Sequence, residues 1–209
     1  VWSVPASEEE SVDAFWKEHE AWMREKHVMG PGQADGPQLL HFYIAKGPEM
    51  ENALANPPVP TGNILYIMSE SYLDGAQIGL HMEQGNTEKK EWFEKMLQLN
   101  EQYGKHMDIG TTLNFTGLSD TQDFAIKSLY QPGDPCIHVI WSVAADKVEE
   151  IDAFWKTHET WMRGSHDLKR DGDDSERPRL PSFNIRKGAE MENALATPPV
   201  PTGNTLYIM

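Results

Sequence analysis

Residues 13–24 read DAFWKEHEAWMR, and residues 152–163 read DAFWKTHETWMR. The likeness runs outward from this stretch in both directions. VWSV at 1–4 matches IWSV at 140–143, and MENALANPPVPTGN at 50–63 matches MENALATPPVPTGN at 191–204. NILYIM at 63–68 matches NTLYIM at 204–209. The offset is 139 residues at His27/His166 and 141 from Lys46/Lys187 onward, so the second copy has two more residues in the intervening loop. A period this long marks a duplicated domain rather than a solenoid repeat. Both ends of the sequence fall within strand-like stretches, which predicts a window from a longer tandem array.

Within one copy the pattern changes from element to element. Val12, Phe15, Trp16, His19, Trp22 and Met23 recur at helical spacing and predict an amphipathic helix ending near His27. Ser7 with Glu10, and Asp146 with Glu149, have the spacing of a capping box. LLHFYIAK (39–46) and NILYIMSESY (63–72) predict strands, with the proline-rich MENALANPPVPTGN as a stiff connection. LDGAQIGLHMEQ (73–84) fits either a continued strand or a short helix. Asn86 or Thr87 is placed to cap a second helix, EKKEWFEKMLQLNEQYG, and KHMDIGTTLNFTGL (105–118) predicts a closing strand. The expected domains are a complete repeat at 1–118, a linker at 119–136 and a truncated second repeat at 137–209.

The resulting β-α-β-β-α-β order predicts an α+β, ferredoxin-like unit with both helices on one sheet face. Both sides of the strands are apolar: Leu40, Phe42 and Ile44 on one against Leu39 and Tyr43 on the other, and Ile64, Tyr66 and Met68 against Leu65 and Ile67. The helix-free face therefore needs a second layer, and another repeat of the same kind, in the chain or in a homo-oligomer, is the expected partner.

Composition narrows the classes of function. A net charge of −15 excludes nucleic acid as a partner. No apolar run reaches the length of a membrane span. The single cysteine, Cys136, precludes an internal disulfide and fits a reducing intracellular compartment. No P-loop, GxSxG, GxGxxG or HExxH motif is present.

Three segments give the chain a resemblance to a known superfamily. These are the opening W-S-V…D-A-F-W-K-x-H-E-x-W-M-R, the third strand L-Y-I-M-S-E-S, and His81 in GLHM shortly after it. They resemble the dimeric α/β-barrel proteins, in particular their antibiotic-biosynthesis-monooxygenase-like (ABM) branch. The resemblance implies ferredoxin-like repeats paired sheet to sheet, a small-molecule pocket between sheet and helices, and oxygenase-like ancestry. Such chemistry is cofactor-independent monooxygenation, isomerisation or cyclisation, with no metal or organic cofactor. The chain departs from the family's third-strand pattern at Ile67 and Ser69, where relatives have an acidic residue and a tryptophan.

Two readings of function stand side by side. In the first, His81 is an acid–base group, with Glu70 and Tyr72 to orient it or a substrate. Tyr43, Tyr66 and Trp92 then line a pocket for a small hydrophobic ligand. In the second, the repeats are non-catalytic modules of a larger assembly. His19 and His27, with His158 and His166 in copy two, read as packing histidines. Glu49 and Glu190 read as solvated strand-edge carboxylates.

Overall fold

A computed structural model describes residues 1–29, 36–52, 55–117, 136–167, 177–180, 182–193 and 200–209. The chain divides into two compact units, Val1–Lys105 and His106–Met209. Both are α+β, with antiparallel strand pairing at the centre of each sheet.

Unit 1 runs β1 (Trp2–Pro5), α1 (Glu9–Lys26), β2 (Val28–Met29), β3 (Gln38–Asn52), β4 (Val59–Tyr72), α2 (Gly75–Glu88) and α3 (Lys90–Tyr103). Its sheet has the order β1-β4-β3-β2, in which only the two-residue β2 is parallel to its neighbour. Unit 2 contains β5 (Met107–Gly117), β6 (Ile140–Val143), α4 (Val148–Ser165), β7 (Ser182–Asn193) and β8 (Val200–Ile208). Its sheet has the order β5-β7-β8-β6.

The expected β-α-β-β-α-β order is therefore not found within unit 1. The closing strand predicted at 105–118 pairs antiparallel with β7, from Met107 opposite Met191 to Gly117 opposite Ser182. Unit 1 retains only the start of that path, a bridge between Gly104 and Trp2. The pairing has a correlate in sequence. Ala189 of β7 is paired on both sides, with Ile109 and Thr205, whereas Pro48 at the matching position of β3 is paired only with Ile64 of β4. A strand with neighbours on both sides uses its amides on both sides, and proline has none to give. The expected linker at 119–136 lies outside the described residues, except for the exposed Cys136.

α1 forms as its spacing predicts. Val12, Phe15, Trp16, His19, Trp22 and Met23 are all buried. Its start differs from the expectation. A 3-10 turn at Ala6–Glu8 precedes it, and neither Ser7 nor any other side chain caps it. Asp146 likewise lies in a 3-10 turn, and no side chain caps α4. Acidic residues in the first turn, Glu9 and Glu10, complement the helix dipole there.

The ambiguous GAQIGLHM stretch is helical. Asp74 caps α2, its carboxylate accepting from the amides of Ala76 and Gln77 at 2.9 and 3.2 Å. Asn86 and Thr87 do not start a helix. They lie within the last turn of α2 and bond back to its carbonyls. α3 follows after Lys89 alone. So tight a junction requires Gly85, because a Cβ there would occupy the position of the Phe93 ring.

β3 runs into the MENAL…PPVPTGN peptide as far as Asn52, and β4 begins within it at Val59. Two clasps involve the peptide's Thr and Asn near its end in both copies. In unit 1, Ser3 and Thr61 each donate a hydroxyl hydrogen to Glu49 Oε2 at 2.8 Å, and Asn63 donates to Ser3 Oγ at 3.0 Å. Unit 2 repeats this with Ser142, Thr202 and Asn204 around Glu190, and His106 Nδ1 lies 3.1 Å from the second carboxylate oxygen. Burial opposes the charge on Glu49 and Glu190, but the donors outweigh it and hold both below the usual carboxylate range. The glutamates are thus strand ties rather than solvated edge residues. Gly62 and Gly203 take positive φ, 92° and 89°, in the same turn of both copies, a region glycine enters without strain.

Replacing Gly85 with alanine should force Phe93 off its seat and cost about 1–3 kcal/mol. Urea denaturation checks it, and an unchanged midpoint would show that the α2–α3 junction has slack.

Candidate functional site

The helix-facing side of β4 presents Tyr66, Met68, Glu70 and Tyr72 in alternation. Glu70 is the unusual member, a carboxylate among aromatic rings with its side chain 12% exposed. β4 places it beneath α1, where His19 Nε2 meets Oε1 at 3.1 Å. Tyr72, two residues along the same strand, donates its hydroxyl hydrogen to Oε2 at 2.7 Å. His81 comes from α2, with Nε2 3.9 Å from Oε2, within Coulombic reach but beyond a hydrogen bond. His27, the residue that ends α1, brings its Nε2 to 2.9 Å from His81 Nδ1.

Three expected site residues, His81, Glu70 and Tyr72, therefore converge. His19 and His27 join them, although their sequence spacing suggested only packing. Eight residues apart on one helix is not a ligand spacing. The folding of α2 back over α1 makes them neighbours of His81. In the sequence their one distinguishing sign is that they sit on the buried helix face.

The expected lining residues separate. Trp92 belongs to the site, its ring parallel to His19 at 4.4 Å and to Phe15 at 4.4 Å. Tyr66 does not reach His81. Its hydroxyl donates to Asp13 Oδ1 at 2.8 Å, and Lys46 donates to Asp13 Oδ2 and to Glu9 at 2.6 Å each. Unit 2 repeats the arrangement with Tyr207, Asp152 and Lys187. Burial and then the Asp13 carboxylate push the Tyr66 phenol far up, so this tyrosine ties α1 to β4 as a neutral donor.

Tyr43 lies off the site, its ring 4.9 Å from His41, while Phe42 packs on His19. Here β3 breaks strict alternation. A register shift between Leu39 and His41 returns Leu39 to the side of Phe42, where it is buried.

The electrostatics of the cluster are asymmetric. Burial opposes ionisation of Glu70, yet the His19 bond, the His81 and His19 charges and the Tyr72 hydroxyl together hold its pKa below the ordinary value. Burial pushes the Tyr72 phenol far up, and the adjacent carboxylate adds to this. Tyr72 is accordingly a fixed donor to Glu70 rather than an acid near neutral pH. Burial lowers His81 despite the Glu70 charge, and it takes His27 down to about 4, with His81 adding to the effect.

A proton on His81 Nε2 faces the Glu70 carboxylate. This tautomer makes His81 Nδ1 the acceptor, with His27 donating through its own Nε2. His27 Nδ1 is then a bare acceptor, one of several buried polar atoms at the site with no hydrogen-bond partner. His19 Nδ1 and Trp22 Nε1 are others. Buried polar atoms left in this state carry a cost unless something polar satisfies them. No group of three or more His, Cys, Asp or Glu side chains with metal-binding geometry occurs among the described residues. No helix among them is long and apolar enough to cross a membrane.

Comparison with protein-family models, with curated proteins and with solved structures gives no match.

The depressed His27 pKa makes stability depend on pH with a definite sign. Between about pH 6.5 and 4 the unfolded chain binds a proton at this residue and the folded chain does not. Stability should thus fall as pH falls through that window, by about 2 kcal/mol between pH 6 and 4.5. Urea midpoints across the window check this. His27→Gln should flatten the profile, and a wild-type profile already flat would remove the assignment.

Proposed function

We propose that unit 1 is an acid–base site for a small, flat, apolar molecule, within an ABM-like α/β-barrel repeat. The observation that carries this reading is the ionised Glu70 beside neutral His81 in an aromatic enclosure. A carboxylate and an imidazole with pKa values pushed into these ranges are a charge stabiliser and a general base. A proton taken up at the bare His27 Nδ1 is relayed as the His27 Nε2 proton moves to His81 Nδ1. Glu70 stabilises the His81 imidazolium that forms, and Tyr72 holds Glu70 in place. Trp92 and Trp22 supply flat apolar walls. The unsatisfied His19 Nδ1 and His27 Nδ1 are acceptors for a hydroxyl or N–H of the bound molecule. Proton abstraction from an acidic carbon or phenol beside a carbonyl is the step common to the oxygenase, isomerase and cyclase readings. It needs no cofactor for the transfer itself.

The paired-repeat arrangement is proposed on a separate ground. Ile67 lies on the face of β4 opposite Glu70, an apolar side chain on the side of the sheet that the helices leave free. A sheet with helices on one face and apolar residues on the other takes a second layer, and the sheet of another repeat is the layer proposed.

One observation favours the non-catalytic alternative. His19, His27 and His81 are 2%, 7% and 6% exposed, so the cluster is part of the core. In that reading it is a polar tie between α1, α2 and β4.

Deuterium exchange separates the two readings. Aromatic 1,3-diketones and hydroxynaphthalenes, incubated with the chain in D2O, should exchange their acidic C–H faster than in buffer. The rate should fall with acidification as His81 protonates, and His81→Gln should lower it about 10²–10⁴-fold. Tyr72→Phe should retain most of it. Exchange no faster than buffer across the panel would leave the structural reading in place.

A further inference from the structure

α1 and α4 carry the same aromatic series, Phe15/Phe154, Trp16/Trp155, His19/His158 and Trp22/Trp161. The inner members behave alike, with Trp16 and Trp155 6% and 2% exposed. The outer members do not. Phe15 and Trp22 are 3% and 4% exposed, whereas Phe154 and Trp161 are 48% and 57% exposed.

Unit 1 shows what makes the difference. Trp92 of α3 stacks on Phe15 and His19, and Phe93 meets the edge of Trp22 at 6.3 Å. We propose that the outer face of α4 is a docking surface for a helical hairpin of the α2–α3 type, with a Trp-Phe pair in its second helix.

The surface is already in the docked geometry. The His19–Trp22 rings are 5.7 Å apart at 37°, and His158–Trp161 are 5.4 Å apart at 37°. Trp22–His27 are 5.2 Å apart at 77°, and Trp161–His166 are 5.3 Å apart at 79°. A platform whose ring geometry matches the covered form loses little freedom when it binds. Two large aromatic side chains half exposed on one helix face are a recognisable anchor site, and helix-in-groove recognition uses such anchors. The occupant is specified by shape. A flat indole lies against the Phe154–His158 pair, and a phenyl edge lies beside Trp161. A docked hairpin also carries the counterpart of His81 toward His166, as α2 carries His81 to His27. The inference concerns binding at α4 and stands apart from any chemistry at Glu70.

The test adds a synthetic peptide of residues 73–103 to the full chain, with the indole and imidazole signals of Trp161, His158 and His166 followed by NMR. Saturable 1:1 binding that shifts all three is expected. Phe154→Ala with Trp161→Ala should raise the dissociation constant at least about tenfold, as should Trp92→Ala with Phe93→Ala in the peptide. Phe154 and Trp161 are exposed, so the double variant should keep its circular dichroism spectrum. No binding up to about 1 mM peptide would overturn the proposal. So would binding indifferent to both double variants, or dimerisation of the chain through Phe154 and Trp161 without any peptide effect.

Discussion

The contact on which unit 1 depends is a flat one. Trp92 lies parallel to both Phe15 and His19, at 4.4 Å from each. The placement of α2 and α3 follows from it. It holds α3 across α1, and Gly85 then lets α2 turn tightly enough to follow. α2 in turn delivers His81 to Glu70. Offset stacking and burial of rings this large contribute roughly 1.5–3 kcal/mol each, enough to carry a short hairpin with modest helix propensity of its own. α4 shows the same helix face without that cover, and its outer rings stand in solvent.

The enclosure made by that contact is also what gives Glu70 its character. In water a glutamate, two histidines and a tyrosine would titrate independently near their ordinary values. Here burial acts on all of them, and only the charge that has partners survives. Glu70 keeps its charge because His19 and Tyr72 donate to it. His81 and His27 lose theirs because burial penalises the imidazolium and a neighbouring histidine adds to this, together outweighing the pull of Glu70. One anion among neutral bases is the configuration from which proton transfer is feasible near neutral pH. It is also a cohesive polar core, so the two readings of function share one geometry and differ only in whether a molecule enters.

The clasps around Glu49 and Glu190 serve a different purpose. They join β1 to the β3–β4 ribbon and β6 to the β7–β8 ribbon. A carboxylate satisfied by three donors pins strand register as a purely apolar contact does not, because hydrogen bonds are directional. The near-identity of MENAL…PPVPTGN in the two copies has at least this structural basis. Thr61 and Asn63 are two of its fourteen residues, Glu49 immediately precedes it, and Gly62 takes the backbone angle the turn requires.

Periodicity and repetition, which are local, were legible from the amino-acid sequence. The duplication, the buried stripe of α1, the two long strands and the convergence of Glu70 and Tyr72 on one face followed from spacing alone. His81 was legible as a candidate, though not as a helical residue, since Asp74 had to be recognised as the cap. Tertiary structure decided what spacing cannot encode. It set which helix folds over which, and so drew His19 and His27 into the site while leaving Tyr66 with Asp13 and Tyr43 on the opposite face. It also decided that β5 pairs with β7, because an extended segment satisfies its amides on whichever strand edge lies open to it. Side-chain alternation is the same for either partner, so the choice left no trace in the pattern of β5 itself.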